Sequence, residues 1–302
     1  MGRRIFGGLT LKELAIGAWR EAYEDEAFGK AAELAYFFLL ALFPMLIFLL
    51  SVFSFLPGLQ EALIDWLDRV MPRDASRLVA SWVENVARAR SGGLLSLGLL
   101  GSLWAASYGI GAAIDALNTA YNVEEGRPFW KSRLMAIGLT IALSVFFVGG
   151  QVLIMFGDWL AACFAAWIGL GGGFTTLWRY VDYLIGLLML TIGVGLIYHF
   201  APNVKRKWRL VTPGAVFAVT ASLLASILFS LYLRVAPSHS ATYGSLGAVI
   251  VLMLWLYLLG LALFLGGEIN SEIERAAGRP IVKKETDGQR AAVDPEPESM
   301  GG

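Results

Sequence analysis

Residues 243–267 read YGSLGAVIVLMLWLYLLGLALFLGG, 25 positions without a charge, closed by Glu268. About 20 mainly apolar residues span the hydrocarbon core of a bilayer, so this stretch is long enough to cross one. Five further stretches bounded by charge have the same character, at about 34–55, 94–114, 134–157 or longer, 176–200 and 210–233. The predicted fold is an all-α integral membrane protein with six transmembrane helices. Composition agrees: the 302 residues are 57% hydrophobic and 16% charged, against roughly 45–50% and 25% in soluble domains. Thirty-four glycines and ten tryptophans suit helices that pack closely in lipid, with aromatic anchors at the interfaces.

Lys plus Arg number 24 and Asp plus Glu 24, so the net charge is zero, and no nucleic-acid partner advertised by bulk positive charge is expected. The placement of the cations is more informative. Between the spans, one face holds Arg3, Arg4, Lys12, Arg20 and Lys30, then Arg127, Lys131 and Arg133, then Lys205, Arg206, Lys207 and Arg209, then Arg275, Arg279, Lys283, Lys284 and Arg290. The other face holds Arg69, Arg73, Arg77, Arg88, Arg90, Arg179 and Arg234, a division of 17 to 7. The positive-inside rule then places both termini in the cytoplasm. Residues 159–178 form another uncharged stretch of 20, and a seventh span there would reverse the count to 10 inside and 14 outside. With almost no chain for a turn between Gly157 and Trp159, six spans are expected, the third helix running past Asp158 toward Trp167 and the glycines at 169 and 171–173 forming an outer turn.

The first 30 residues lack the basic start and apolar core of a cleavable signal. Thr10 and Glu13 have capping-box spacing, and Leu11, Leu14, Ala15, Ala18, Trp19 and Ala22 recur on one helical face, which predicts an amphipathic helix on the inner membrane surface over 1–30. Two comparable pieces in the first outer loop are split by Pro72: Leu59, Leu63, Trp66, Leu67 and Val70, then Leu78, Val79, Trp82, Val83 and Val86. They are expected to cap the outer end of the bundle formed by residues 31–274. From 275 to 302 the chain turns polar, with Asp294, Pro295, Glu296, Pro297 and Glu298, and reads as a disordered cytoplasmic tail.

Several short pieces carry a family resemblance. These are Leu34-Ala35-Tyr36 with Phe43-Pro44, Ala113 to Asn118 with Tyr121, Ala201-Pro202-Asn203, Pro213-Gly214, Tyr243-Gly244-Ser245, and Leu265 to Asn270. In that order and spacing, the chain resembles the YihY/BrkB family of bacterial inner-membrane proteins over about residues 31–274. Ala41 stands where the family typically carries Ser before Leu-Phe-Pro, which weakens a role for a hydroxyl there. The resemblance implies six helices with inside termini, a bacterial inner-membrane location and a link to envelope lipid transport. It also implies that the ribonuclease BN label once attached to the family is a mislabel.

An ionisable group at the centre of a bilayer costs at least about 2.5–3.5 kcal/mol, and none is expected at a midplane here. Glu33, Asp115, Arg133, His199 and Glu268 fall at inner span ends, and Asp158, Arg179, Asp182, Arg234 and His239 at outer ends. Ser107, Gly111, Asp115, Asn118 and Asn122 share a helical face. With the motif residues they nominate an inner polar cavity of Glu33, Asp115, Asn118, Arg133, Asn203, Glu268 and Asn270. The same residues would serve equally to cap helices and tie them together by hydrogen bonds, or as an ionic lock of Glu268 and Asp115 with Arg133 or the Lys205 cluster. Pro44 cannot donate to the Leu40 carbonyl and is a candidate hinge. Lys205, Arg206, Lys207, Trp208 and Arg209 are candidate contacts for anionic lipid head groups. Gly214, Ala218, Ala221, Ser222 and Ala225 on the fifth span, and Gly186 with Gly193 on the fourth, are expected to permit close helix approach.

Cys163 is the sole cysteine, His199 and His239 fall on opposite faces, and no H-E-x-x-H, phosphate loop or G-x-S-x-G elbow occurs, so neither cofactor, metal nor enzymatic activity is expected. The predicted function is a transporter or flippase-like permease for a lipid or amphipathic envelope component, with membrane lipids as partners. The alternative is a membrane scaffold that binds envelope proteins through its tail and outer loop.

Overall fold

The computed structural model describes residues 7–53, 65, 68, 71–88, 95–168, 172–205, 209, 211–235, 245–278 and 282–283. The chain enters its first helix, α1 (Leu11–Glu24), through the capping box the sequence signalled. Glu13 N donates to Thr10 Oγ1 at 3.3 Å, and Thr10 N donates to Glu13 Oε2 at 2.7 Å, satisfying two of the orphan amides of a helix start. A left-handed residue, Glu26 at φ 52°, turns the chain into α2 (Ala27–Phe53). The helix therefore starts seven residues before the expected span at 34, absorbing the end of the segment read as interfacial. There follow α3 (Arg73–Arg88), α4 (Leu95–Ala120), α5 (Phe129–Ile168), α6 (Gly172–Phe200), α7 (Pro213–Val235) and α8 (Ser245–Ala276). The strands β1 (Val204–Lys205) and β2 (Val282–Lys283) pair antiparallel, so the first residues of the tail segment fold back onto the loop after α6.

Among the described residues five helical stretches are long and apolar enough to cross a membrane: Ala27–Phe48, Phe129–Gly150, Tyr183–Phe200, Pro213–Leu233 and Gly247–Ala276. The remaining expected span corresponds in position to α4, 26 residues long, which is not among these five. Helix α5 is 40 residues long, about 60 Å at 1.5 Å per residue. It passes Gly157, Asp158 and Trp159 without a break, so the turn that a seventh span would need there does not exist. Gly172 and Gly173 already belong to α6, and the rest of the expected glycine turn lies outside the described residues.

Helices α2 and α8 pack at the centre, with α4 against α2 and α7 against α8. Between apolar helices in lipid, association rests on close packing and hydrogen bonds, because burial from lipid brings no hydrophobic gain. The α7–α8 pair is the tightest example. Gly214 abuts the Gly266 carbonyl, Gly266 abuts Tyr198 Oη and Ala218, and the buried Tyr198 hydroxyl donates to the Leu263 carbonyl at 2.6 Å. The small-residue face of α7 thus does what its sequence implied. On α6, among the described residues, a Cβ added at Gly186 would meet nothing within 4 Å and one at Gly193 would meet Phe146 at 3.9 Å.

Helix α3 caps the end of the bundle opposite Glu268. Its Ala75 and Val79, with Met71, pack on Leu46 of α2 and on Leu252, Trp255 and Leu256 of α8. The other piece of that loop, from Leu59 to Val70, lies outside the described residues apart from 65 and 68. The predicted face of α1 divides. Leu14, Ala18 and Ala22, four residues apart, are buried against α8, whereas Leu11, Ala15 and Trp19 are exposed.

Candidate functional site

The polar residues nominated at the inner helix ends separate into two groups. Asn118, Arg133, Asn203, Glu268 and Asn270 are buried. Glu33 and Asp115 are exposed, with Glu33 paired to Lys30 on its own helix at 3.1 Å. Helical spacing put Asp115 and Asn118 on one face, but at the end of α4 only the Asn118 side of that face is covered by the loops after α4 and α6.

Asn118 is the knot of the first network. Its Nδ2 donates to Glu125 Oε2 at 3.0 Å, and its Oδ1 accepts from Asn203 N at 2.8 Å. Glu125 in turn accepts from Arg127 Nε at 2.6 Å and from Arg127 Nη2 at 2.5 Å, and that nitrogen also donates to the Ala201 carbonyl at 2.9 Å. Burial pushes the Glu125 carboxyl up, but the hydrogen bonds and charge of Arg127, with Asn118, outweigh it and hold Glu125 below the usual range. Asn203 Oδ1 and Arg127 Nη1 are buried without a partner among the described residues. Asn270 builds a second network by capping α7: its Oδ1 accepts from Gly214 N at 2.9 Å and its Nδ2 donates to Thr212 Oγ1 at 3.0 Å.

Glu268 sits where α1 crosses α8. Both its oxygens and Asp25 Oδ2 are buried with no donor from another residue among those described. The Asp25 and Glu268 carboxyl groups lie near enough to interact. Burial lifts Asp25 above its ordinary range, the bond with Glu268 opposes part of the rise, and the Glu21 charge adds to it. Around the pair, Arg275 Nη1 meets Glu21 Oε1 at 2.8 Å. Asn122, held at φ 52° past the end of α4, reaches Glu21 Oε2 at 3.4 Å. Glu21 therefore ties α1 to both α4 and α8.

Arg133 joins none of these groups. Its Nη2 donates to the Trp104 carbonyl at 2.6 Å, and its Cζ lies 4.3 Å from the Trp104 ring centroid and 3.7 Å from that of Tyr108. Among the described residues neither Glu268 nor Asp115 pairs with it, so the expected lock with Arg133 does not form. Arg206, Lys207 and Trp208 of the basic cluster lie outside the described residues, as does His239; Lys205 is in β1 and Arg209 is exposed. Pro44 lies inside α2, which continues past it, one turn beyond the Ala41–Gly109 approach of α2 to α4.

Sequence reasoning missed Asp25, Glu125 and Arg127. The first was signalled by its place at the C-cap of α1, and the other two by a Glu-x-Arg spacing in a short loop. Among the described residues no group of three His, Cys, Asp or Glu side chains could hold a metal ion.

The inner-end cluster coincides with the motifs that carried the family resemblance, and the family described as Virulence factor BrkB matches residues 18–291. The chain belongs to the BrkB family. This BrkB-family protein is 40% identical over 255 residues to the ribonuclease-like protein YfkH of Bacillus subtilis (strain 168), across 84% of this chain and 93% of that one. It is 28% identical over 265 residues to a UPF0761 membrane protein of Tolumonas auensis, covering 84% of this chain and 83% of the relative. The match to a UPF0761 membrane protein of Verminephrobacter eiseniae is 27% over 260 residues and spans 60% of that longer relative. No solved structure matches the chain. With its apolar helices, the BrkB-family chain is a membrane protein.

Proposed function

We propose that this protein is a flippase-like permease for a lipid or other amphipathic envelope component, with six spans, including α4, and both termini on the cytoplasmic side of a bacterial inner membrane. The observation that carries this reading is Glu268, buried with no hydrogen-bond partner for either carboxyl oxygen among the described residues and with the Asp25 carboxyl near it. A buried polar group without partners costs about 1–3 kcal/mol, a cost a purely structural residue would shed by substitution. Here it lies under α1, a helix held by Glu21 to Arg275 and able to act as a flap over the inner end of the bundle. In the same reading Asn118, Asn203 and Asn270 stiffen the rim of the opening, Glu33 and Asp115 face the aqueous side, Pro44 lets the outer half of α2 move, and residues 205–209 receive anionic head groups. The chemistry is movement of a cargo between leaflets, without bond cleavage.

The test is purified protein in liposomes containing dye-labelled lipids of the envelope. Leaflet exchange above protein-free vesicles, slowed in Glu268→Ala, supports the permease; no exchange for any envelope lipid, beside an active scramblase control, removes it. A second reading, a membrane scaffold for envelope proteins, is favoured by the face of α1 that stays open. Leu11, Ile16, Trp19 and Tyr23 are exposed there, beside an apolar-lined hollow of about 580 Å³. Deletion of residues 278–302 separates the two, since a scaffold loses partner recovery with its tail whereas a permease keeps exchange.

A further inference from the structure

Arg133 is 8% exposed, carries a full charge, and has no carboxylate partner among the described residues. Its Nε is buried without an acceptor. The guanidinium does not turn back toward the aqueous end of its own helix. It reaches the carbonyl of Trp104, the tenth residue of the 26-residue α4 and 11 positions before Asp115, about 16 Å along the helix axis. A cation in so apolar a place is costly unless neutralised. Among the described residues the Trp104 and Tyr108 rings lie against it, at 4.3 and 3.7 Å, and they stabilise a cation without cancelling its charge.

We propose that Arg133, Trp104 and Tyr108 form a binding site for the phosphate group of an anionic membrane phospholipid. Among the described residues the Trp104 carbonyl takes one N–H of the planar guanidinium, which leaves N–H donors of the kind that match phosphate oxygens. Trp104 and Tyr108 are half exposed on the outer surface of α4, with exposed Leu100 one turn away and exposed Leu134 next to the arginine on α5. An anion approaching from that side meets apolar surface on either flank, which suits a phosphate that carries acyl chains. The site deepens the permease reading, on which it rests for the claim that the lipid is cargo; binding itself does not depend on it.

Full-length protein in neutral detergent is titrated with dioleoylphosphatidylglycerol and bound lipid is counted by native mass spectrometry. Dioleoylglycerol, with the same chains and no phosphate, and inorganic phosphate serve as the comparison arms. One tightly retained phosphatidylglycerol is expected, with dioleoylglycerol not retained. Arg133→Gln should weaken retention about tenfold or more, the scale of a lost charge-assisted pair, and Trp104→Leu severalfold. Should Arg133→Gln not fold, Trp104→Leu and Tyr108→Leu carry the test. Wild-type retention in these variants, or equal retention of dioleoylglycerol, overturns the site, and displacement of the lipid by inorganic phosphate overturns its assignment to a lipid. Lipid retained by a protein that shows no leaflet exchange sinks the permease reading and leaves this site standing.

Discussion

At Gly266 the absence of a side chain is a packing requirement. A Cβ there would collide with Tyr198 Oη and lie 2.5 Å from the Gly214 carbonyl and 2.9 Å from Ala218 Cβ, neighbours that are backbone or fully buried and have nowhere to go. Gly266→Ala should therefore cost at least the roughly 1–3 kcal/mol of an overpacked core, seen as a lower melting temperature in size-exclusion thermal assays. Gly186→Ala, with nothing within 4 Å, should leave that temperature unchanged. Asn118 is irreplaceable for a different reason. Asn118→Ala leaves Asn203 N unpaired and takes one donor from Glu125, which keeps Arg127, at about 1–3 kcal/mol for the group left unpaired, and the same assay should register the loss. Asn118 and Asn203 stood out in the sequence by their motifs. That they bond to each other could not be read there, because 85 residues separate them and the contact depends on how the two loops fold over the end of α4.

Helix α1 shows what periodicity can and cannot say about an element. Its start was legible to the residue because a capping box is local. Its buried face was legible in part: the pattern grouped Leu11, Ala15 and Trp19 with Leu14, Ala18 and Ala22, and contact mainly with α8 buries the narrower set. The helix end carries a titrating lock. The Asp25 carboxyl is raised by burial, so between its ordinary value and its raised one the folded state holds a proton that the unfolded state has lost. Stability must then fall as pH rises through that window. The groups facing the lock from α1 and α8, Glu21, Glu24, Glu268 and Arg275, set its width. Melting temperatures measured from acidic to neutral pH should decline in the wild type and decline less steeply in Asp25→Asn; an equal slope in both would show that the lock lies elsewhere. Protease sensitivity near Glu24 and Glu26 should rise over the same range as α1 loosens from α8.

For the whole molecule, the asymmetry of Lys and Arg predicts a sidedness that a labelling experiment reads directly. In a Cys163→Ser background, Lys12→Cys on α1 and Ser81→Cys on α3, both exposed positions, should differ. A membrane-impermeant maleimide added to intact spheroplasts should label Ser81→Cys and spare Lys12→Cys until the membrane is opened, and the reverse pattern would invert the topology. The sequence by itself determined the solvent, the approximate helix limits and the continuity of α5, because apolar length, charge boundaries and missing turn residues are properties of contiguous chain. Only the tertiary structure decided which polar groups are buried, that Glu268 lies near Asp25, and that Arg133 lies against Trp104 and Tyr108 with no carboxylate partner among the described residues. Those pairings depend on the rotation of each helix about its axis and on which neighbour it meets. Small residues such as Gly214 and Gly266 fix that rotation across distances in sequence that no local pattern spans.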